Sequence, residues 1–250
     1  MKKCLLSIII PAYNEKKTIG IILKKVYEHK LPNIQKEIII VESNSTDGTK
    51  EIVKKFVKGR KGVKLILEDR PQGKGHALRQ GFAQATGDII LIQDADLEYD
   101  INDYMKLITP IIENKTSFVL GSRHMDHSRN YIWSIRKFNN KIYAVFMNIG
   151  GLLFHAFFNL VFGTKLTDPT TMYKVFRRKL LKKFHLKGQY FELDFELVGK
   201  LIRTGNIPLE VPIQYHSRGL EDGKKVRILR DAPRYVKTIL LTGFTPKRYL

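Results

Sequence analysis

Residues 87–100 read GDIILIQDADLEYD, an apolar run that ends abruptly in four carboxylates at alternate positions, Asp94, Asp96, Glu98 and Asp100. Short continuous runs of Ile, Val and Leu mark strands buried on both faces, as in a parallel sheet. SIII (7–10), EIIIVE (37–42), VKLILE (63–68) and SFVLGS (117–122) follow the same pattern. Between these runs, apolar residues at helical spacing predict helices over about 16–29, 48–58, 75–86 and 102–114, with Asp47 as N-cap of the second. Strand and helix in alternation predict an α/β fold with a mostly parallel central sheet flanked by helices. Ligands of such sheets bind beyond the carboxyl ends of the strands. The segments that follow the runs are 11–15, 42–45, 69–71, the acidic cluster and 121–123, all polar or turn-forming. They predict one continuous site at a single sheet edge.

Like charge of that density at the mouth of a buried strand requires a cation. Asp94 and Asp96 offer hard oxygen ligands suited to Mg²⁺ or Mn²⁺, which keep waters and bridge to substrate phosphates. Glu98 can approach the same ion, and Asp100 is placed to cap the next helix. The competing explanation is that all four are helix caps. The glycine-rich stretch from Arg70 to Gly81 is neither a P-loop nor a dinucleotide fingerprint. Gly73 and Gly75 serve either a structural turn or a close approach to a ligand at a helix N-terminus, beside Lys74. Arg123, Arg136, Arg218 and Lys224 are the candidate anion holders, against the alternative that each is solvated or paired with an acid.

The chain of 250 residues carries 44 Lys and Arg against 24 Asp and Glu, a net charge of +20. That balance implies an anionic partner: nucleic acid, a phosphorylated small molecule or an acidic membrane surface. An acidic cleft repels phosphates in the absence of metal, which argues against a nucleic-acid partner. The single cysteine, Cys4, allows no internal disulfide and suits a reducing compartment. The first residues do not read as a signal peptide. Residues 143–163 contain no Asp, Glu, Lys or Arg. We expect an apolar interfacial pair of helices there, broken near Gly150 and Gly151, with a membrane span or a buried helix as alternatives. A helix is expected over about 192–204 and a strand over 209–216. Residues 226–250 form a basic amphipathic segment suited to an anionic membrane surface.

Seven motifs in order carry a resemblance: Pro11-Ala-Tyr-Asn-Glu15, Glu42-Ser-Asn-Ser-Thr-Asp-Gly-Thr49, Gly73-Lys-Gly75, Asp94-Ala-Asp-Leu-Glu98, Gly121-Ser-Arg123, Asp168-Pro-Thr-Thr-Met-Tyr-Lys174 and Arg218 with Gly223-Lys224. The chain resembles family 2 glycosyltransferases of the GT-A fold, with polyprenyl-phosphate (dolichol-phosphate) mannosyl- and glucosyltransferases as the nearest subgroup. The resemblance implies a Rossmann-like GT-A catalytic domain over 1–225, with acceptor- or membrane-facing helices at about 130–163. It implies that Pro11, Tyr13, Glu15, Glu42, Gly73 and Lys74 line the nucleotide-sugar site. Asp94, Asp96 and Glu98 would be the metal set, Arg218 and Lys224 the donor-diphosphate holders, and Arg123 and Arg136 the acceptor-phosphate holders. Three positions depart from the family pattern: Glu42-Ser43 for Asp-Asp, Met172 for Gly, and Asn139-Asn140 near an expected Ser.

The activity this implies is inverting transfer of a hexose from a UDP- or GDP-sugar to a polyprenyl phosphate, at the inner, cytoplasmic face of a membrane. A phosphate acceptor is already an anionic nucleophile and needs no strong base. The alternative acceptor, a hydroxyl of a cell-surface glycan, needs a carboxylate to take its proton, and Asp168, Asp194 and Glu196 are the candidates.

Overall fold

The structure is a computed structural model that describes residues 4–125, 141–216 and 228–246, with side chains described for all of these except 141–148 and 228–230. The chain opens with β1 (Cys4–Ala12), α1 (Ile19–Glu28), β2 (Ile34–Glu42), α2 (Thr49–Val57), β3 (Val63–Leu67), α3 (Lys74–Gln84) and β4 (Ile89–Ile92). It continues with α4 (Tyr104–Ile112), β5 (Phe118–Ser122), α5 (Lys141–Phe162), β6 (Lys174–Arg177), α6 (Leu193–Arg203), β7 (Leu209–Pro212) and α7 (Ile228–Phe244). The seven strands form one sheet in the order β3-β2-β1-β4-β6-β5-β7. All neighbours run parallel except at β6, which is antiparallel to both β4 and β5.

The continuous apolar runs are explained by what covers the sheet. Ile8 and Ile10 of β1 and Ile38 and Ile40 of β2 pack beneath α1, α2 and α4. Ile9 and Ile39, one residue out of phase, pack on the other face with Leu78 of α3, Phe158 of α5, Leu197 of α6 and Ile239 of α7. Both faces are covered, so neither phase of the strand can be polar.

All five expected strands and the four helices between them are present. β6 was not anticipated, because its four residues, KVFR, begin at the last residue of a motif and hold only two apolar positions between charges, too short for a strand pattern. The strand expected over 209–216 ends at Pro212 and resumes only as a single bridge between Tyr215 and Tyr99. The expected helix pair broken at Gly150 and Gly151 is instead one continuous helix, α5. Glycine inside a helix costs about 1 kcal/mol but does not itself turn the chain. The turn comes at Gly163, whose φ of 63° ends the helix, with the Asn159 side chain bonding the Thr164 hydroxyl and Leu166 beyond it. Among the described residues, no helix is long and apolar enough to cross a membrane.

Candidate active site

The loops after β1 and β2 meet at the carboxyl edge and are stitched together. Asn14 N–H donates to Ser45 Oγ (2.9 Å), Thr46 N–H to Asn14 Oδ1 (3.0 Å), Glu15 N–H to Thr49 Oγ1 (2.8 Å) and Lys16 N–H to Asp47 Oδ2 (3.0 Å). Asn14 and Asn44 take positive φ of 48° and 53°, a conformation asparagine tolerates better than most residues. The N-cap expected at Asp47 falls instead on Gly48, whose φ of 101° opens α2 without a side-chain bond, while Asp47, one residue earlier, accepts the N–H of Thr49. The Glu42 side chain is fully buried and accepts from the backbone of Asn44 and Ser45. Beside it Tyr13 is exposed, while Pro11 and Glu15 are half-buried.

Asp94 and Asp96 follow β4 at the same edge. Asp94 forms an ion pair with Lys74, the first residue of α3. Lys74 also approaches the Met172 sulfur at 3.5 Å and the Phe191 ring at 5.6 Å. Burial pulls the Lys74 ammonium down, but Asp94 and Asp194 outweigh it and raise its pKa. Behind Asp94, buried Gln93 accepts from the hydroxyls of Tyr104 and Tyr173 and donates to the Asp94 carbonyl. Asp96 is buried and accepts the Glu98 N–H (3.0 Å), while Glu98 accepts the Tyr215 hydroxyl (3.0 Å). Asp100 caps the following turn, as expected, by accepting from Asn102.

The Gly73-Lys74-Gly75 motif has a packing role. A Cβ at Gly73, whose φ is 99°, would lie 2.6 Å from the Tyr190 ring, and one at Gly75 would lie 2.7 Å from the Tyr190 carbonyl. The glycines therefore let the 188–190 backbone lie across the first turn of α3, where Gln189 accepts the His76 N–H. Glu192 and Glu196 hold that segment from its other side through its backbone N–H groups.

Beyond β5, Arg123 is forked onto Asp168, with Nε to Oδ2 at 2.7 Å and a terminal nitrogen to Oδ1 at 2.8 Å. The Arg123 backbone N–H and the Thr170 hydroxyl also bond this carboxylate. Burial alone would raise the Asp168 pKa, but the guanidinium outweighs it and holds the carboxyl well below the usual range. Glu210 of β7 fixes the loop by accepting from the backbone of Thr167 and Asp168. His155, from the inner side of α5, bonds Thr170 (3.2 Å) and packs edge-on against His124. His124, His155 and Asp168 bring three potential metal ligands within 4.8 Å, a spacing that Asp94, Asp96 and Glu98 do not reach. Both oxygens of Asp168 are already engaged by Arg123, however, so an ion there would displace a forked ion pair.

Lys174 is the site residue the sequence did not single out. It opens β6, is fully buried, and pairs with Asp194 in the first turn of α6 (3.2 Å). Burial lowers its pKa, against the pull of Asp194. Its only signal was its place at the end of the Asp168–Lys174 motif. Arg136, Arg218 and Lys224 lie outside the described residues. The structure thus brings together Pro11, Tyr13, Glu15, Glu42, Gly73, Lys74, Asp94, Asp96, Glu98, Arg123 and Asp168 at one edge.

The family described as Glycosyl transferase family 2 matches residues 7–184. A dolichol-phosphate mannosyltransferase from Pyrococcus furiosus is 25% identical, over 92% of this chain and 63% of its own length. A dolichyl-phosphate beta-glucosyltransferase from Saccharomyces cerevisiae is 28% identical, over 94% of this chain and 73% of its own. The chain thus spans less than two thirds of the Pyrococcus protein. Among solved structures, a glucosyl-3-phosphoglycerate synthase from Mycobacterium tuberculosis, in complex with Mn²⁺, UDP and phosphoglyceric acid, superposes with a TM-score of 0.68. It is 17% identical, over 97% of this chain and 80% of its own, and supports the GT-A fold alone.

Proposed function

The chain belongs to glycosyl transferase family 2, and from that premise we propose that it moves a hexose from a UDP- or GDP-sugar to a polyprenyl phosphate, with inversion. One observation carries the choice of acceptor. The three carboxylates expected to serve as base for a hydroxyl acceptor are each paired with a cation: Asp168 with Arg123, Asp194 with Lys174 and Glu196 with Lys200. A carboxylate held in an ion pair is a weak proton acceptor, whereas a lipid phosphate needs none. The two dolichol-phosphate relatives support the same acceptor.

The nucleoside would lie over the stitched loops, against the exposed Tyr13 ring, with Pro11, Glu15 and Glu42 shaping the pocket. Glu42, being fully buried, would act on the base side indirectly, by holding the Asn44 and Ser45 backbone beneath it. Mg²⁺ or Mn²⁺ would be held by Asp94 and Asp96, with Glu98 behind them. These are hard oxygen donors, and the Lys74 ammonium on Asp94 marks a place where the fold requires positive charge. A divalent ion there would supply neutralisation of the charge that develops on the leaving diphosphate. Lys74 would add its own charge to that diphosphate, with Arg218 and Lys224 closing over it. Arg123 would present its outer terminal nitrogen to the acceptor phosphate while Asp168 fixes the guanidinium plane, and Arg136 would take the phosphate's other side. A lipid acceptor would bring this work to a membrane surface, in our reading an anionic one on the inner, cytoplasmic face.

Replacing Asp96 with Ala tests the donor half. Wild type should bind UDP or GDP in a Mn²⁺-dependent manner in calorimetry, and Asp96→Ala should lose that dependence together with transfer. Unchanged metal-dependent binding and transfer in the variant would count against the assignment.

A further inference from the structure

Residues 213–216, just past β7, carry none of the seven motifs, yet the structure pins them against the site. Ile213 N–H donates to the Ser122 carbonyl (3.1 Å), Gln214 N–H to the buried Asp103 carboxylate (2.7 Å) and His216 N–H to the Glu98 carbonyl (2.8 Å). Between these anchors Tyr215 bridges to Tyr99, and the two rings meet edge-on with centroids 5.1 Å apart. The Tyr99 hydroxyl is itself tied down by the Met172 N–H (2.9 Å). Tyr215 is buried, so its ring is held by its own backbone on both sides and by a fixed neighbour.

That rigid ring touches two residues assigned to opposite halves of the reaction. Its hydroxyl donates to Glu98 Oε2 (3.0 Å), and its face lies against the Arg123 guanidinium, whose Cζ is 5.1 Å from the ring centroid. Asp168 grips Arg123 through two nitrogens, in the guanidinium plane. The ring adds a contact to the flat face, so the two together fix both the position and the tilt of the fork. Glu98 has its backbone held at both ends, its N–H by Asp96 (3.0 Å) and its carbonyl by His216. The hydroxyl bond then sets how its carboxylate is turned, as outer hydrogen bonds do for metal-holding side chains. We propose that Tyr215 is a positioning residue for both halves of the transfer: its hydroxyl orients Glu98 beside Asp94 and Asp96, and its ring steadies Arg123 for the acceptor phosphate. This role rests on the donor and acceptor sites proposed above, and it makes the two contacts of one side chain separable by substitution.

Two variants of the full chain separate them. Tyr215→Phe deletes the hydroxyl and keeps the ring, whereas Tyr215→Leu deletes both. In calorimetry without acceptor, the Mn²⁺ concentration that half-saturates UDP or GDP binding should rise by about tenfold or more in both variants. Transfer to a short, water-soluble prenyl phosphate is then measured at saturating Mn²⁺. The acceptor KM should stay at its wild-type value in Tyr215→Phe and rise by about fivefold in Tyr215→Leu, with kcat little changed. A tyrosine that only supports the fold would move neither quantity, or would move both together in each variant in step with the melting temperature. Either result overturns the proposal. Should Tyr215→Leu fail to fold, Tyr215→Phe decides alone, and an unchanged Mn²⁺ response or a raised acceptor KM in it overturns the proposal. Wild type that binds nucleotide without regard to Mn²⁺ overturns the metal assignment together with the role of the hydroxyl. Wild type that transfers nothing to the prenyl phosphate overturns the acceptor assignment together with the role of the ring. A wild type that behaves as expected beside unaltered variants overturns the role of Tyr215 alone.

Discussion

Asp168→Asn is the sharpest perturbation of the proposed acceptor side, because it changes one atom and almost no volume. The Asp168 carboxylate is fully buried and accepts from Arg123 N–H (3.1 Å), Nε (2.7 Å) and a terminal nitrogen (2.8 Å), and from the Thr170 hydroxyl (3.0 Å). In the Asp168→Asn variant the new NH₂ group must face either the first two donors or the last two, so in either orientation donors confront donors. At least one bond to a charged group, worth about 1.5–3 kcal/mol, is lost, and Arg123 keeps a largely buried charge without a counterion. Breaking one side of such a pair costs about 3–5 kcal/mol, a large part of the ~5–15 kcal/mol that holds a domain folded. Urea unfolding followed by circular dichroism should show that loss, with a fall in melting temperature on the order of 10 °C. Arg123→Met alone should cost a similar amount. The double variant should cost at least about 2 kcal/mol less than the sum of the singles, because each residue's penalty comes from stranding the other. A single-variant cost below about 1 kcal/mol, or strict additivity, would refute the argument that this pair organises the acceptor side.

Three further outcomes follow from other parts of the molecule. Glu37 is buried at the opposite sheet edge, where burial alone would raise its pKa. Bonds from Ser7, Lys64 and Thr86 outweigh that and lower it from 4.5 to about 2. Its stabilisation is present in full above the unfolded value and is lost as pH falls toward 2. Allowing for solvent on the Lys64 side, Glu37→Gln should remove roughly 2 kcal/mol at about pH 7 and little at about pH 2, in urea titrations at both pH values. Gly73→Ala should cost more than about 2 kcal/mol, since it combines a positive φ with a clash against Tyr190, and should make the 187–191 segment a site of limited proteolysis. Lys174→Met leaves Asp194 charged and buried, so it should lower stability by about 3 kcal/mol in thermal melts, and a neutral effect would show that the pair is dispensable.

The strands β1, β2, β4 and β5 were legible because each is buried along an unbroken stretch, which forces a continuous apolar run, while β3 at the sheet's edge is only partly buried. The edge that holds the site was legible for the same reason, since the runs end where polar loops must begin. What stayed hidden was pairing across the sequence. Lys74 and Asp94 are 20 residues apart, and Lys174 and Asp194 also 20, and no local pattern ties either cation to its acid. Arg123 carried a visible charge, but its lock onto Asp168 depends on Glu210 holding the Thr167–Asp168 backbone, a contact made through β7. The role of Gly73 and Gly75 was ambiguous because a ligand and a protein backbone make the same demand on a glycine. Gly150 and Gly151 misled in the other direction: a helix packed along one side tolerates glycines that a propensity argument reads as a break.

The central claim is transfer to a lipid phosphate, and product analysis tests it most directly. The protein is incubated with Mn²⁺, a polyprenyl phosphate and each of a panel of labelled UDP- and GDP-sugars, with and without chelator. Label should pass from one donor into an organic-phase, acid-labile lipid product, and only when the metal is present. Label that never enters the lipid, but is transferred to a glycan hydroxyl, would contradict the account.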